Sequence, residues 1–211
     1  MSRLTTRGAL AFGLFTALPA RADDADGSYG RIEGDLLFVG EVGCGLTEGG
    51  PQLETHVGLM YLSTAGPYFR YVESFGNDEA PFDRLVSAGL ELRPLFLGRY
   101  ALDLAQGPPH LDLFVDSFAL IIGAAWEAPV GMAFEGNPGL ELGASIEVPI
   151  MPSASGPFLG VLGLARFGAG EIAGSSNRDF LERGSTIVLT LAWHQVFDAG
   201  LVDIRDRRRE P

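Results

Sequence analysis

The run STIVLTLAWHQVF, Ser185 to Phe197, decides how this chain is read. Side chains of an extended strand alternate between two faces. Ile187, Leu189, Leu191, Trp193 and Phe197 share one face, interrupted only by Gln195, while Thr186, Val188, Thr190, Ala192, His194 and Val196 share the other. One face is large and apolar, the other smaller and mixed.

The same two-residue period recurs upstream. In Arg31 to Cys44, Ile32, Leu36, Phe38, Val42 and Cys44 oppose Arg31, Glu33, Asp35 and Glu41, with Gly34 and Gly40 thinning the apolar face. Leu53, Thr55, Val57, Leu59 and Tyr61 oppose Glu54, His56 and Gly58. Tyr68 to Phe75 is a third, aromatic-rich run, and in a fourth Arg84, Val86, Ala88, Leu90 and Leu92 oppose Asp83, Ser87, Gly89, Glu91 and Arg93. Leu140, Leu142, Ala144, Ile146 and Val148 oppose Glu141, Ser145 and Glu147, and Phe158 to Phe167 is almost continuously apolar. Turn-forming stretches such as TEGGPQ (Thr47 to Gln52), Ala65-Gly66-Pro67 and MPSASGP separate the runs, and short turns between β-runs imply antiparallel neighbours.

Two segments in the middle read differently. Pro94 to Gln106 has helical spacing at Phe96, Leu97, Tyr100, Ala101 and Leu104, with proline acceptable in a first turn, so a short helix is expected near 94–105. His110 to Glu127 fits both periods: Leu111, Leu113 and Val115 alternate with Asp112 and Asp116, yet Leu111, Phe114, Val115, Phe118 and Ile122 also trace a helical face. It is read here as a strand because its surroundings are β. The count is then about eight strands of about ten residues, the length a tilted strand needs to cross a bilayer.

The totals agree. A chain of 211 residues holds one domain. Its 29 glycines and 13 prolines favour turns and closely approaching strands. There is no lysine, so all 15 basic residues are arginine, an arginine-only usage of the sort a GC-rich genome's codons produce. A net charge of −12 repels a phosphate backbone and argues against nucleic-acid binding. The single cysteine, Cys44, excludes an internal disulfide and any CxxC zinc or redox site, and is read as a small apolar strand residue.

Residues 1–22 have the form of a secretory signal peptide: Arg3 and Arg7, the apolar run Gly8 to Leu18, and the small-x-small pattern Ala20-Arg21-Ala22. The expected organisation is a leader at 1–22, a barrel domain at 23–197 and a charged tail at 198–211. Tyr29, Tyr61, Tyr68, Phe69, Tyr71, Phe75, Phe82, Trp126 and Phe197 fall near strand ends, as an aromatic girdle would place them.

In this pattern of export, alternating strands and a final strand ending on an aromatic, residues 30–197 resemble the eight-stranded outer-membrane barrel superfamily with its OmpA-like, OmpX-like and OmpW-like members. The resemblance implies an all-β, closed, antiparallel, up-and-down transmembrane barrel located in the outer membrane and in contact with its lipid. It also implies that the barrel-assembly machinery reads the last strand as a signal, although 14 residues follow Phe197 here. Closure is required physically, since an open sheet edge in lipid leaves backbone groups unpaired.

For chemistry the sequence offers little. His56, His110 and His194 are scattered and form no HExxH pair. A lipid-modifying enzyme would need a nucleophile, a histidine and an acid together, and His194 with Ser185 or Thr190 and Glu147 is the only set worth testing. The acidic residues Glu33, Asp35, Glu41, Glu54, Asp83, Glu91, Glu141 and Glu147 lie opposite the apolar sets, so closure points them inward with Arg31, Arg70, Arg84 or Arg93. Buried charges of both signs pair, and eight strands leave little lumen, so an ion-paired plug is expected rather than a pore. Asp112 and Asp116 would stack only if their segment were helical. No catalytic, cofactor-binding or metal site is assigned. The expected role is structural or interactive and non-catalytic. The alternatives are a soluble lipocalin-like barrel binding an apolar ligand, whose apolar face would point inward, and the lipid-modifying enzyme.

Overall fold

The computed structural model describes residues 29–31, 34–47, 50–75, 82–102, 104, 107–128, 131–134, 136–168 and 185–201. The leader and the tail beyond residue 201 therefore lie outside the described residues.

Eight strands close into one barrel in sequence order: β1 (Leu36–Thr47), β2 (Gly50–Tyr61), β3 (Ala65–Ser74), β4 (Arg84–Leu92), β5 (Ala119–Ala128), β6 (Gly139–Pro149), β7 (Gly156–Phe167) and β8 (Ser185–Phe197). All neighbours are antiparallel, and β8 returns to β1 with Leu36 opposite Phe197 and Leu46 opposite Ile187. The strand that decides the sequence reading thus closes the barrel against the first one. At the terminal end β1 begins and β8 finishes, and the β2–β3, β4–β5 and β6–β7 connections lie there. The other four connections lie at the loop end.

The wall has inverted polarity. On β8 the face of Ile187, Leu189, Leu191, Trp193 and Phe197 points outward, with Ile187 69% and Leu189 67% exposed, while Val188, Ala192 and His194 are buried inside. The other strands repeat this arrangement. Leu53, Val57, Leu59, Leu90, Leu92, Leu120, Ile122, Leu142, Val148, Leu159 and Val161 are exposed, and Glu54, His56, Arg70, Ser87, Glu91, Glu141 and Glu147 are buried. Cys44 is a free thiol on the outward face.

Inward glycines make the narrow interior possible. Tyr68, Gly89, Gly123 and Glu141 form one row across β3, β4, β5 and β6. Tyr68 lies across the two glycines to reach Glu141. A Cβ on Gly123 would overlap the Tyr68 hydroxyl and the Ala88 carbonyl.

The β4–β5 connection carries two helices, α1 (Pro94–Ala101) and α2 (Pro109–Asp116). The expected helix at 94–105 is present as α1. The reading of 110–127 as a single strand is corrected: residues 109–116 are helical and β5 begins at Ala119. The reason is local. Pro109 occupies the first helical turn, where its missing N–H costs nothing, and the helix sets Asp112 and Asp116 on one face, where arginines meet them. The first strand also starts later than expected, at Leu36, with Arg31 in a turn. Ile32 and Glu33 lie outside the described residues.

Three of the expected girdle aromatics are not on the outside. Tyr29, Tyr68 and Phe82 are buried, whereas Tyr61, Phe69, Phe75 and Phe197 are exposed. Tyr68 shares the inward face with Arg70, and Phe82 packs with Val72, Leu85 and Ala125.

Candidate functional site

The interior is the only place where polar chemistry concentrates among the described residues, and it is organised in three levels. Toward the loop end, Glu141 is the centre. Its Oε1 accepts hydrogen bonds from Tyr68 Oη at 2.9 Å, Arg70 Nη1 at 2.8 Å and Ser87 Oγ at 2.9 Å, and its Oε2 accepts one from Arg166 Nε at 2.8 Å. Glu54 faces the same Arg70 from the other side, 3.9 Å from Nε. Arg70, Glu54 and Glu141 have no solvent exposure.

The middle level is built around Arg93. Its Nε donates to Glu91 at 3.1 Å, and its Nη2 lies 3.1 Å from Glu147. Glu147 also meets His194 Nε2 at 3.2 Å, and the His194 ring stacks on Phe158 with centroids 4.0 Å apart. His56 sits between two carboxylates, with Nδ1 2.8 Å from Glu41 and Nε2 3.6 Å from Glu91.

The third level is the helical cap at the terminal end. Asp112 and Asp116, one turn apart, point into the barrel mouth. Arg99 of α1 clamps both: Nη1 donates to Asp116 at 2.7 Å and Nη2 donates to Asp112. Arg31 donates to Asp116 from the barrel side while its guanidinium lies over the Phe96 ring, 4.6 Å from the centroid. Tyr29 Oη and the Gly107 N–H also donate to Asp112, at 2.9 and 2.8 Å. Burial alone would raise the Asp112 carboxyl, but the hydrogen bonds from Arg99, Tyr29 and Gly107 outweigh it and hold the group below its ordinary value. Burial lowers the Arg31 guanidinium despite the opposing pull of Asp116. Ser117, at the end of α2, donates to the Glu147 carbonyl and accepts the Glu147 N–H, both at 2.8 Å, which stitches the cap to β6. A small cavity of mixed lining with room for about one water lies beneath it, with Arg31, Arg93, Asp116 and His194 on its polar side and Leu37 and Phe158 on its apolar side.

The expected inward acids are therefore sorted. Glu41, Glu54, Glu91, Glu141 and Glu147 line the lumen. Asp35 is buried but lies at the terminal rim, where it accepts the Ala199 and Leu201 N–H groups and ties the chain after β8 back to β1. Asp83 is also at a rim, accepting the Gly131 N–H at 3.0 Å. Of the arginines, Arg31, Arg70 and Arg93 face inward, but Arg84 faces out, over the Phe134 ring. The residues the sequence reading missed are Arg99 and Arg166. Arg166 alternates with Leu162 and Leu164 on the inward face of a run so apolar that its single charge drew no notice, and Arg99 was hidden inside a helical pattern.

The trio proposed for acyl chemistry is only partly assembled. His194 and Glu147 are paired, but Ser185 begins β8 while His194 is near its other end, and Thr190 is two periods of the alternation away on the same strand. His110 is exposed on the cap. Among the described residues no group of three or more His, Cys, Asp or Glu side chains is placed to hold a metal ion.

Fold and interior together define a class: a closed, up-and-down, eight-stranded antiparallel β-barrel that is charged within and apolar without. No family model matches the chain, and no curated protein sequence matches it. Among solved structures, the chain is similar to that of Neisserial surface protein A, with a TM-score of 0.35 and 10% identity over 77% of this chain and 96% of that one. A likeness this distant carries nothing beyond itself, and the architecture rests on the strand register described above.

Proposed function

We propose that this chain is an exported outer-membrane β-barrel protein with a structural or interaction role and no catalysis of its own, its lumen plugged by charged side chains. The observation that carries the reading is the inverted polarity of the wall. A soluble barrel buries leucines and exposes charge, whereas here the leucines form the outer surface and the carboxylates and guanidiniums pair inside. A continuous apolar outer wall is stable only against lipid, and closure leaves no strand edge there to be satisfied. The lipocalin-like alternative needs the opposite arrangement, with an apolar interior for its ligand.

The plug follows from the cross-links. Arg70 and Arg93 reach past intervening strands to Glu141 and Glu147 on β6, and Arg166 pairs with Glu141 directly opposite it on the neighbouring strand. Apolar clusters fill both ends: Val72, Phe82, Leu85 and Ala125 at the loop end, and Leu37, Met60, Leu113 and Val196 with neighbours at the terminal end. In the cell the leader at 1–22 directs export, and the barrel-assembly machinery engages β8.

Fractionation followed by detergent-gel mobility tests the reading. The protein is expected in the outer-membrane fraction, with a folded form that migrates differently before and after heating. Recovery wholly in the soluble periplasm refutes it. The plug has its own test, since sustained ion conductance of the purified barrel in planar bilayers would overturn it. The His194–Glu147 pair is the one observation on the side of a lipid-modifying enzyme, and lipid hydrolysis abolished by His194→Ala would move the reading there.

A further inference from the structure

The β4–β5 connection repeats the polarity of the wall outside the strands. Among its described residues, Asp112 and Asp116 are buried in the barrel mouth and Arg99 is turned toward them. Its leucines point out. Leu95, Leu97, Leu102, Leu104 and Leu111 are 38%, 42%, 69%, 58% and 55% exposed. A short helical connection facing water would place its apolar residues against the barrel and its charges in solvent. Phe96 and Leu113 do pack inward, but the other five leucines are exposed, with nothing among the described residues covering them. They are also not isolated from the wall. The connection leaves β4 directly after the outward Leu90 and Leu92 and rejoins β5 just before the outward Leu120 and Ile122. On the neighbouring β6–β7 turn Ile150 and Met151 are likewise exposed.

We infer that the α1–α2 cap is a second membrane-contacting surface, seated in the interfacial layer of the leaflet at the terminal end of the barrel with its leucines among the upper acyl chains. The occupant of this face is lipid rather than protein, because its exposed leucines lie on the connection that joins the outward Leu90 and Leu92 of β4 to the outward Leu120 and Ile122 of β5. Clamping of Asp112 and Asp116 by Arg99 and Arg31 serves this seating by keeping the cap's charges away from the lipid side. An interfacial helix sits about 5–10 Å into the headgroup and acyl boundary. The inference rests on the proposal that the wall itself is lipid-facing.

The test separates the two. In full-length protein carrying Trp126→Phe and Trp193→Phe, single reporters are placed by Leu102→Trp or Leu111→Trp on the cap and by Leu189→Trp on the wall. Each protein is folded into phosphatidylcholine vesicles whose acyl chains are brominated either near the headgroup or deep in the chain. The cap reporters are expected to lose at least about half their emission to the shallow bromines and little to the deep ones, as interfacial seating requires. The Leu189→Trp reporter should be quenched in its own right. A quenched wall reporter with unquenched cap reporters overturns the cap inference and leaves the barrel in the membrane. Unquenched cap reporters in a protein that sediments as a dimer mean that a second copy covers the face, which also overturns it. If the wall reporter is unquenched, the membrane reading itself falls and takes the cap with it. A spin label on Leu104→Cys in a Cys44→Ala background provides a readout without tryptophan: oxygen should reach it better than a water-soluble nickel chelate, and the reverse refutes the seating.

Discussion

Removal of the Glu141 carboxylate by Glu141→Leu decides whether the lumen is dry. Glu141 has no solvent exposure and receives four donors, from Tyr68, Arg70, Ser87 and Arg166. Without it, two guanidiniums lose their nearest anion. Arg70 keeps only Glu54, at 3.9 Å from Nε. Breaking a buried ion pair by deleting one partner costs about 3–5 kcal/mol, because the remaining charge is left desolvated. Two hydroxyls also lose their acceptor, and each such loss in a dry interior adds about 1–3 kcal/mol, less where the group can turn to another partner. A loss of at least about 4 kcal/mol is the expected total. At a urea dependence of about 2 kcal/mol per molar, the unfolding midpoint in lipid vesicles should fall by about 2 M. The readout is the heat-modifiable gel shift against urea after equilibration from both the folded and unfolded sides. The double variant Glu141→Leu/Arg70→Met removes one of the two stranded guanidiniums, at the cost of the partner of Glu54, so it should recover part of the loss. A loss below about 1 kcal/mol with no recovery in the double variant would mean that water screens these groups, and the plug would be refuted.

Three further outcomes follow from the geometry. Gly123→Val places a side chain where the Tyr68 hydroxyl and Ala88 carbonyl lie, so a loss of about 1–3 kcal/mol is expected, partly recovered by Tyr68→Leu in the same urea assay. Leu189→Arg puts a charge on the outward face of β8 and should cost about 2–4 kcal/mol in vesicles if that face meets the bilayer core, whereas an unchanged midpoint would mean it faces water. The Asp112 carboxyl is held below its ordinary value of 3.8, so its contribution to cap docking is complete above that value and is lost as the pH falls through the lower folded one. Limited proteolysis by pepsin across that range should show the β4–β5 connection becoming cleavable at the acid end, and Asp112→Asn should be cleaved already at the upper end.

The barrel was legible because its signal is periodic. Each strand that alternated cleanly, above all Ser185 to Phe197 and Gly139 to Ile150, took the expected faces, since a lipid-facing or water-facing wall must use the same period of two. In segment 110–127 the strand expectation holds from Ala119 onward and fails over 110–116, because apolar residues there satisfy both periods while Pro109 and the Asp112–Asp116 spacing favour a helix. Alternation also says which face a residue takes but not how far across the lumen it reaches. Arg84 and Arg93 lie at opposite ends of one run and on opposite faces of it. Alternation groups Arg84 with the outward Leu90 and Leu92 and Arg93 with Glu91, but only the closed register shows that Arg93 reaches Glu147 and that Arg84 lies over Phe134. The girdle reading erred for the same reason: proximity to a strand end placed Tyr68 on the outside, although it shares parity with Arg70.

The absence of lysine has a structural counterpart in the interior. Arg70 lies between Glu141 and Glu54, Arg93 between Glu91 and Glu147, and Arg99 between Asp112 and Asp116. Each guanidinium therefore faces two carboxylates through two different nitrogens, which the single ammonium of lysine does not match in fixed geometry. This is how a lumen with more acids than arginines remains packed: Glu41, Glu54, Glu91, Glu141 and Glu147 outnumber Arg70, Arg93 and Arg166, and the remaining contacts on the acid side fall to His56 and His194. The same two-acid clamp recurs in the cap through Arg99, outside the barrel wall. A single device thus turns charge inward at both places, and it leaves exposed leucines on both wall and cap.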